Sequence, residues 1–377
     1  MRYAANRLLI ERALAHEQKD LAALKATDPK SPQATLLGHR VARMTEFLQP
    51  RVTGDGRSVP RQFLLFDPAG DGRVAEVFGD LAKAEHVAVM VPGITNRLDN
   101  YDSIANDAAS FIMDPATKKD LPESAVITWL GYDTPEFGDS VLPAKAEVGA
   151  PALHSFRVGL ETAEGAKFAL FAHSYGTLLS SKALQEGTPF DSVVFMGSPG
   201  LGPTVKSAAD LKVRPGTQVF AMRAPGDWVS YTEAHGSDPA EMADIRRLAT
   251  GRSSGHSEYY TPKNTGLENL QTILTGDGCV QTFMGSPKLD DEQFGAANVR
   301  VLVKELQSRV PQWKTGELAT AFEPIITGVM NGGTDIPTLM TLTTKTLADS
   351  GLGGYFTPQD IAQIVGRSLT EAGPDQR

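Results

Sequence analysis

The residues best able to do chemistry lie in Ala172-His173-Ser174-Tyr175-Gly176, where an apolar run at 168–171 ends abruptly and a helical run at 178–184 begins. A hydroxyl on so sharp a strand-to-helix turn stands exposed at its tip, while its backbone crowds the positions two before and two after. Only small residues fit there, and Ala172 and Gly176 supply them. The pattern is that of a nucleophile elbow with alanine replacing the first glycine. Ser174 is the candidate nucleophile, and a tight turn without chemistry is the plain alternative.

A serine hydroxyl needs a base, and after such an elbow the partners follow along the chain in the order acid, then histidine. The histidines are His16, His39, His86, His154, His173, His235 and His256. Chain order removes the first four, and His173 adjoins the nucleophile and is expected to point elsewhere. Asp227, in the loop after the apolar run Gln218–Met222, is the candidate acid. Only seven residues separate it from His235, too few for the helix and strand that normally intervene. His256, in Gly255-His256-Ser257, has that room and is the favoured base, with His235 the alternative. The oxyanion hole is expected to pair the Tyr175 amide with the Ile94 amide in Val91-Pro92-Gly93-Ile94-Thr95, Thr95 being the fallback donor. A plain Pro-Gly turn is the bland reading of that loop.

These groups need a rigid frame. Short continuous apolar runs at 87–91, 125–130, 168–171, 193–196 and 218–222 are separated by stretches long enough for helical crossovers. Runs without alternation suit parallel strands covered on both faces. Residues 62–79 place two β-rich runs either side of a Pro/Gly/Asp turn, which predicts a hairpin. The expected fold is α/β: a mostly parallel, doubly wound sheet with an antiparallel N-terminal edge. Two helices are expected in residues 1–49, and helices at 299–310, 318–330, 336–347 and 358–369. The expected division is an N-terminal helical extension at 1–60, a catalytic core at 61–285 and a C-terminal helical region at 286–377, a candidate cap.

Composition narrows the function. Among 377 residues, 36 Lys plus Arg against 45 Asp plus Glu give a net charge of −9, the wrong sign for a nucleic-acid partner. No apolar run is long enough for a transmembrane segment, and no secretory apolar core follows Met1, so a cytoplasmic location is expected. The single cysteine, Cys279, permits neither an intrachain disulfide nor a Cys-rich zinc site. Gly197-Ser198-Pro199-Gly200-Leu201-Gly202 follows a strand but lacks the spacing of a phosphate loop, so no cofactor and no metal are expected. Trp129-Leu130-Gly131-Tyr132-Asp133 reads equally as pocket lining or core, while Asp290, Asp291 and Glu323 read as solvated faces.

Eight stretches together resemble an actinobacterial α/β-hydrolase family catalogued as a domain of unknown function. They are residues 64–73, 87–93, 129–133, 173–176, 197–200, 227–229, 235–239 and 255–257. The resemblance implies an α/β-hydrolase fold and a Ser-Asp-His hydrolase carried on Ser174, Asp227 and His256. Ala172 departs from the glycine common in that family, and residues 1–60 and 285–377 carry none of the matching motifs. The expected activity is hydrolysis of carboxylic esters of a small acyl substrate through an acyl-enzyme on Ser174. An amidase, peptidase or acyltransferase with the same three residues is one alternative. A catalytically silent scaffold for a protein partner of the helical extensions is the other.

Overall fold

The computed structural model describes residues 2–52, 56–113, 121, 123–136, 142–224, 227, 229–230, 233–253, 255–283, 306, 309–310, 318, 336–357, 359–361 and 364. The chain opens with α1 (Arg2–Thr27) and α2 (Pro32–Phe47), parted by Asp28-Pro29 and restarted by Ser31, whose hydroxyl accepts from the Ala34 amide. A short ribbon, β1 (Arg51–Val52) with β2 (Ser58–Val59), leads into the hairpin β3 (Gln62–Asp67) and β4 (Arg73–Gly79). Then come β5 (His86–Val91), α3 (Asp102–Met113), β6 (Ser124–Leu130), α4 (Ala144–Val158), β7 (Lys167–His173) and α5 (Tyr175–Gln185). The chain continues through β8 (Ser192–Met196), β9 (Gln218–Met222), β10 (Arg246–Arg247), α6 (Thr265–Thr275) and α7 (Ile336–Asp349).

The main sheet has the order β10-β9-β8-β7-β5-β6-β4-β3. From β6 to β10 the neighbours are parallel, while β4 runs antiparallel to both β6 and β3. The fold is thus the expected mostly parallel sheet with an antiparallel edge. Each predicted apolar run is a strand, lengthened by at most two residues at an end. β10 was not foreseen, because two arginines carry no apolar signal. Helix 336–347 is present as α7, whereas the expected helices at 299–310, 318–330 and 358–369 lie largely outside the described residues.

Both sheet faces are covered, as strands such as His86–Val91 require. One face packs on α4 and α5 through Leu153, Leu178 and Leu179. The other packs on α1, α2, α3 and α6 through Ile10, Phe47, Phe111 and Leu270. The N-terminal pair is fixed by Arg40, which meets Glu17 at 2.7 Å and donates to the Gly70 carbonyl at 2.9 Å. Among the described residues no helix is long and apolar enough to cross a membrane.

Parallel packing matters because it gathers the carboxyl ends of β5, β7, β8 and β9 at one rim. In α/β sheets the crevice outside those ends is where ligands bind. Val91 pairs with Ala172 and Met196 with both His173 and Met222, so the loops after these strands emerge side by side.

Candidate active site

Ser174 sits between β7 and α5 with φ 56° and ψ −134°, a backbone conformation that a side chain rarely tolerates. The strain is held by its amide donating to Met196 and its carbonyl accepting from Thr177, both at 2.9 Å. Close packing makes the small neighbours necessary. A β-carbon on Gly176 would stand 2.5 Å from the Pro92 carbonyl oxygen, and one on Gly93 2.5 Å from the Ser174 β-carbon.

The structure brings Ser174, Asp227 and His256 together. His256 Nε2 lies 2.8 Å from Ser174 Oγ, and His256 Nδ1 lies 2.8 Å from Asp227 Oδ1. Asp227 is fully buried, and an ionised carboxylate cannot donate, so Nδ1 carries the proton and Nε2 accepts from the serine hydroxyl. Burial pushes the Asp227 carboxyl up, but the adjacent His256 and hydrogen bonds from His256 and Tyr259 outweigh it and hold it below its ordinary value. The Tyr259 hydroxyl donates to Asp227 Oδ2 at 2.5 Å and accepts from the Ala224 amide at 3.0 Å. Burial, reinforced by the Asp227 charge, raises that phenol well above its usual range, so it stays a donor.

The alternative base is elsewhere. His235 packs edge-on against the Tyr175 ring at 5.4 Å, and its main chain is tied to Pro199 and Gly202 at 2.9 and 2.7 Å. The glycine-rich 197–202 segment is accounted for by the same packing. Gly197, at φ 56°, leaves room where a β-carbon would come within 2.6 Å of Asp227 Oδ2, and Gly200 rests directly on Gly236.

His173 does not point away from the site, contrary to expectation. Its Nε2 donates to the His256 carbonyl at 2.6 Å, and the two rings lie 4.6 Å apart. Burial, then the neighbouring His256, depress its pKa to about 3, leaving it neutral with its proton on Nε2.

Among the described residues the amides of Tyr175 and Ile94 donate to no protein acceptor, whereas the Thr95 amide is occupied by the Pro135 carbonyl at 3.0 Å. The Ile94 loop is clamped by its carbonyls. Tyr132 donates to Pro92 O at 2.8 Å and Gly93 O at 3.2 Å, and Asn96 Nδ2 donates to Ile94 O at 2.9 Å. Tyr132 is both core and site: its ring stacks on Trp129, while its hydroxyl reaches the loop.

Ser174, His256, Gly93 and Ile94 open onto a cavity of about 280 Å³, walled further by Met90, Ile104 and Tyr260. Among the described residues no group of three or more His, Cys, Asp or Glu is placed to hold a metal ion. Arrangements of this kind can move a proton from a hydroxyl to an imidazole and expose the resulting alkoxide to a carbonyl carbon.

A family model described as alpha/beta hydrolase matches residues 67–237, a span that includes Ser174 and Asp227 and stops short of His256. An uncharacterised protein found in both Mycobacterium tuberculosis and Mycobacterium bovis is 32% identical over 212 residues, 51% of this chain and 79% of that protein. A longer uncharacterised M. tuberculosis protein is 31% identical over 266 residues, 58% of this chain and 40% of that one. Among solved structures, a dienelactone hydrolase-like promiscuous phosphotriesterase from metagenomic libraries is 14% identical with a TM-score of 0.40. It covers 57% of this chain and 97% of its own.

Proposed function

The chain belongs to the alpha/beta hydrolase family, and from that premise we propose that it is a serine hydrolase cleaving carboxylic esters through an acyl-enzyme on Ser174. One observation carries the reading: an unbroken hydrogen-bonded line from Asp227 through His256 to Ser174, with 2.8 Å at each step, ending at a cavity.

In this reading His256 Nε2 takes the Ser174 proton as Oγ attacks the ester carbonyl carbon. The carbonyl π pair moves onto oxygen, which the Tyr175 and Ile94 amides stabilise. Collapse of that intermediate breaks the bond to the alkoxy oxygen, which takes the proton from His256 and leaves as alcohol. Water then enters, gives its proton to His256 and attacks the acyl carbon. The second collapse returns that proton to Ser174 Oγ and releases the acid. Asp227 stays ionised throughout, holds the tautomer and stabilises the imidazolium.

The division of the chain follows the same reading: a core at 61–285 carries these residues and 1–60 is an N-terminal helical extension, while the region at 286–377, proposed as a C-terminal helical cap, lies largely outside the described residues. Replacing Ser174 with alanine is expected to lower kcat on p-nitrophenyl esters by about 10⁴-fold or more. The melting temperature should stay unchanged. Retention of most of the activity in that variant would overturn the assignment.

A further inference from the structure

The same cavity contains a carboxyl for which the hydrolytic steps have no use. Asp107, on α3, lines it together with Ser174, Ile94, Ile104 and Tyr260. Among the described residues its carboxylate accepts no hydrogen bond and meets no cation. Two other acids of these elements are paired: Asp102 on α3 with Arg43, and Glu76 on β4 with Arg61. No lysine or arginine is among the cavity's lining residues.

The titratable groups facing the cavity beside Asp107 are Tyr259, Tyr260, His173 and His256, with Asp227 behind His256. Burial keeps both phenols protonated, and His173 is neutral. Among the described residues lining the cavity Asp107 therefore faces no lysine or arginine, and burial raises its pKa to about 7. A half-buried carboxyl without a protein donor is stabilised by a group entering the cavity that brings it one.

Resting on the serine-hydrolase reading, we propose that Asp107 determines specificity by accepting a hydrogen bond from a protonated amine on the substrate. The apolar wall of Met90, Ile94 and Ile104 takes the methylene stem between that amine and the ester. An ammonium fits, since it supplies both the missing donor and the missing positive charge. The chain's net charge of −9 favours its approach.

The test is a ratio: kcat/KM for p-nitrophenyl 6-aminohexanoate over that for p-nitrophenyl heptanoate, which has a methyl where the other has an ammonium. Homologues one methylene shorter and longer extend the comparison. Both esters meet the same Ser174 and His256, so the ratio isolates the cavity. In the wild type it should rise about tenfold between about pH 5.5 and 8.5, as Asp107 ionises while the amine stays protonated. In Asp107→Asn it should be lower by about tenfold or more at the upper pH and flat across the range. A ratio flat in the wild type and unchanged in the variant overturns the assignment while leaving the hydrolase reading intact. Should the variant not fold, the wild-type pH profile decides by itself. Failure of the folded wild type to turn over any of these esters would instead overturn the hydrolase reading, and this inference with it.

Discussion

Two carboxylates are buried in this molecule almost to the same degree, Glu76 at 1% exposure and Asp227 at 0%, yet their surroundings differ in kind. Glu76 lies within β4, gripped by both arms of Arg61 at 2.7 Å each, with Arg51 at 3.7 Å. Arg61 in turn lies 4.6 Å from the centroid of the Phe47 ring, between the N-terminal helices and the sheet. Asp227 lies beyond the end of β9, and its partners are an imidazole, a phenol and the amides of Val229 and Ser230 at 3.2 and 3.4 Å. A guanidinium keeps its proton at any ordinary pH, so Glu76 can only hold elements together. An imidazole gains and loses one readily, so the pair at Asp227 can pass charge to a hydroxyl one bond further on.

The comparison is broken most directly by neutralising each acid without changing its shape. Asp227→Asn should lower kcat/KM on p-nitrophenyl esters by about 10³- to 10⁴-fold with little change in unfolding free energy. Glu76→Gln should do the reverse, costing about 3–5 kcal/mol in urea unfolding because it leaves buried guanidinium charge uncompensated. Activity per folded molecule should hold. Equal effects on activity from both variants would erase the distinction.

A smaller effect is expected from Tyr259→Phe, which removes one donor from Asp227 and leaves the ring. The carboxyl is held below its ordinary value in the folded protein, so its contribution to stability is present above the unfolded value and lost as pH falls through the folded one. Without the phenol that loss begins at higher pH. The acid limb of kcat/KM and the acid-unfolding midpoint should both move upward, with kcat about tenfold lower. An unmoved acid limb would show that Tyr259 does not tune the acid.

The smallest effect concerns the third acid, Asp107, whose pKa is raised to about 7 by burial. The folded state then holds a proton that the unfolded chain has released, so stability falls as pH climbs from the ordinary carboxylate range to about 7. Asp107→Asn should therefore raise the melting temperature by about one or two degrees at pH ~8 and leave it unchanged at about pH 3.5, below the unfolded value. A gain of the same size at both values would point to packing rather than charge.

Much of this arrangement could be read from residue order. The elbow is legible because small-x-Ser-x-Gly constrains local backbone, and its setting between an apolar run and a helical run is local too. The strands beneath it are legible because β-branched runs buried on both faces have few other uses. What was not legible depends on distant pairings. Tyr259 sits three residues after His256 like any loop aromatic, and only the fold turns its hydroxyl onto Asp227. Tyr132 reads as core and is core, but its hydroxyl clamps a loop forty residues earlier in the chain. His173 reads along the chain only as a neighbour of the nucleophile, and the contact that ties it to the site is to a carbonyl 83 residues away. The fallback Thr95 amide is engaged by Pro135, an acceptor that spacing along the chain gives no hint of. Asp107 looks like one more acid on an amphipathic helix until α3 is placed beside the cavity.

The central claim is that Ser174 is a nucleophile made ready by His256 and Asp227. Incubation of the folded protein with a fluorophosphonate, followed by mass mapping of the adduct, tests it without assuming any substrate. The account predicts one adduct, on Ser174, forming far more slowly in Asp227→Asn. An adduct on another residue, or none in well-folded protein, would contradict it.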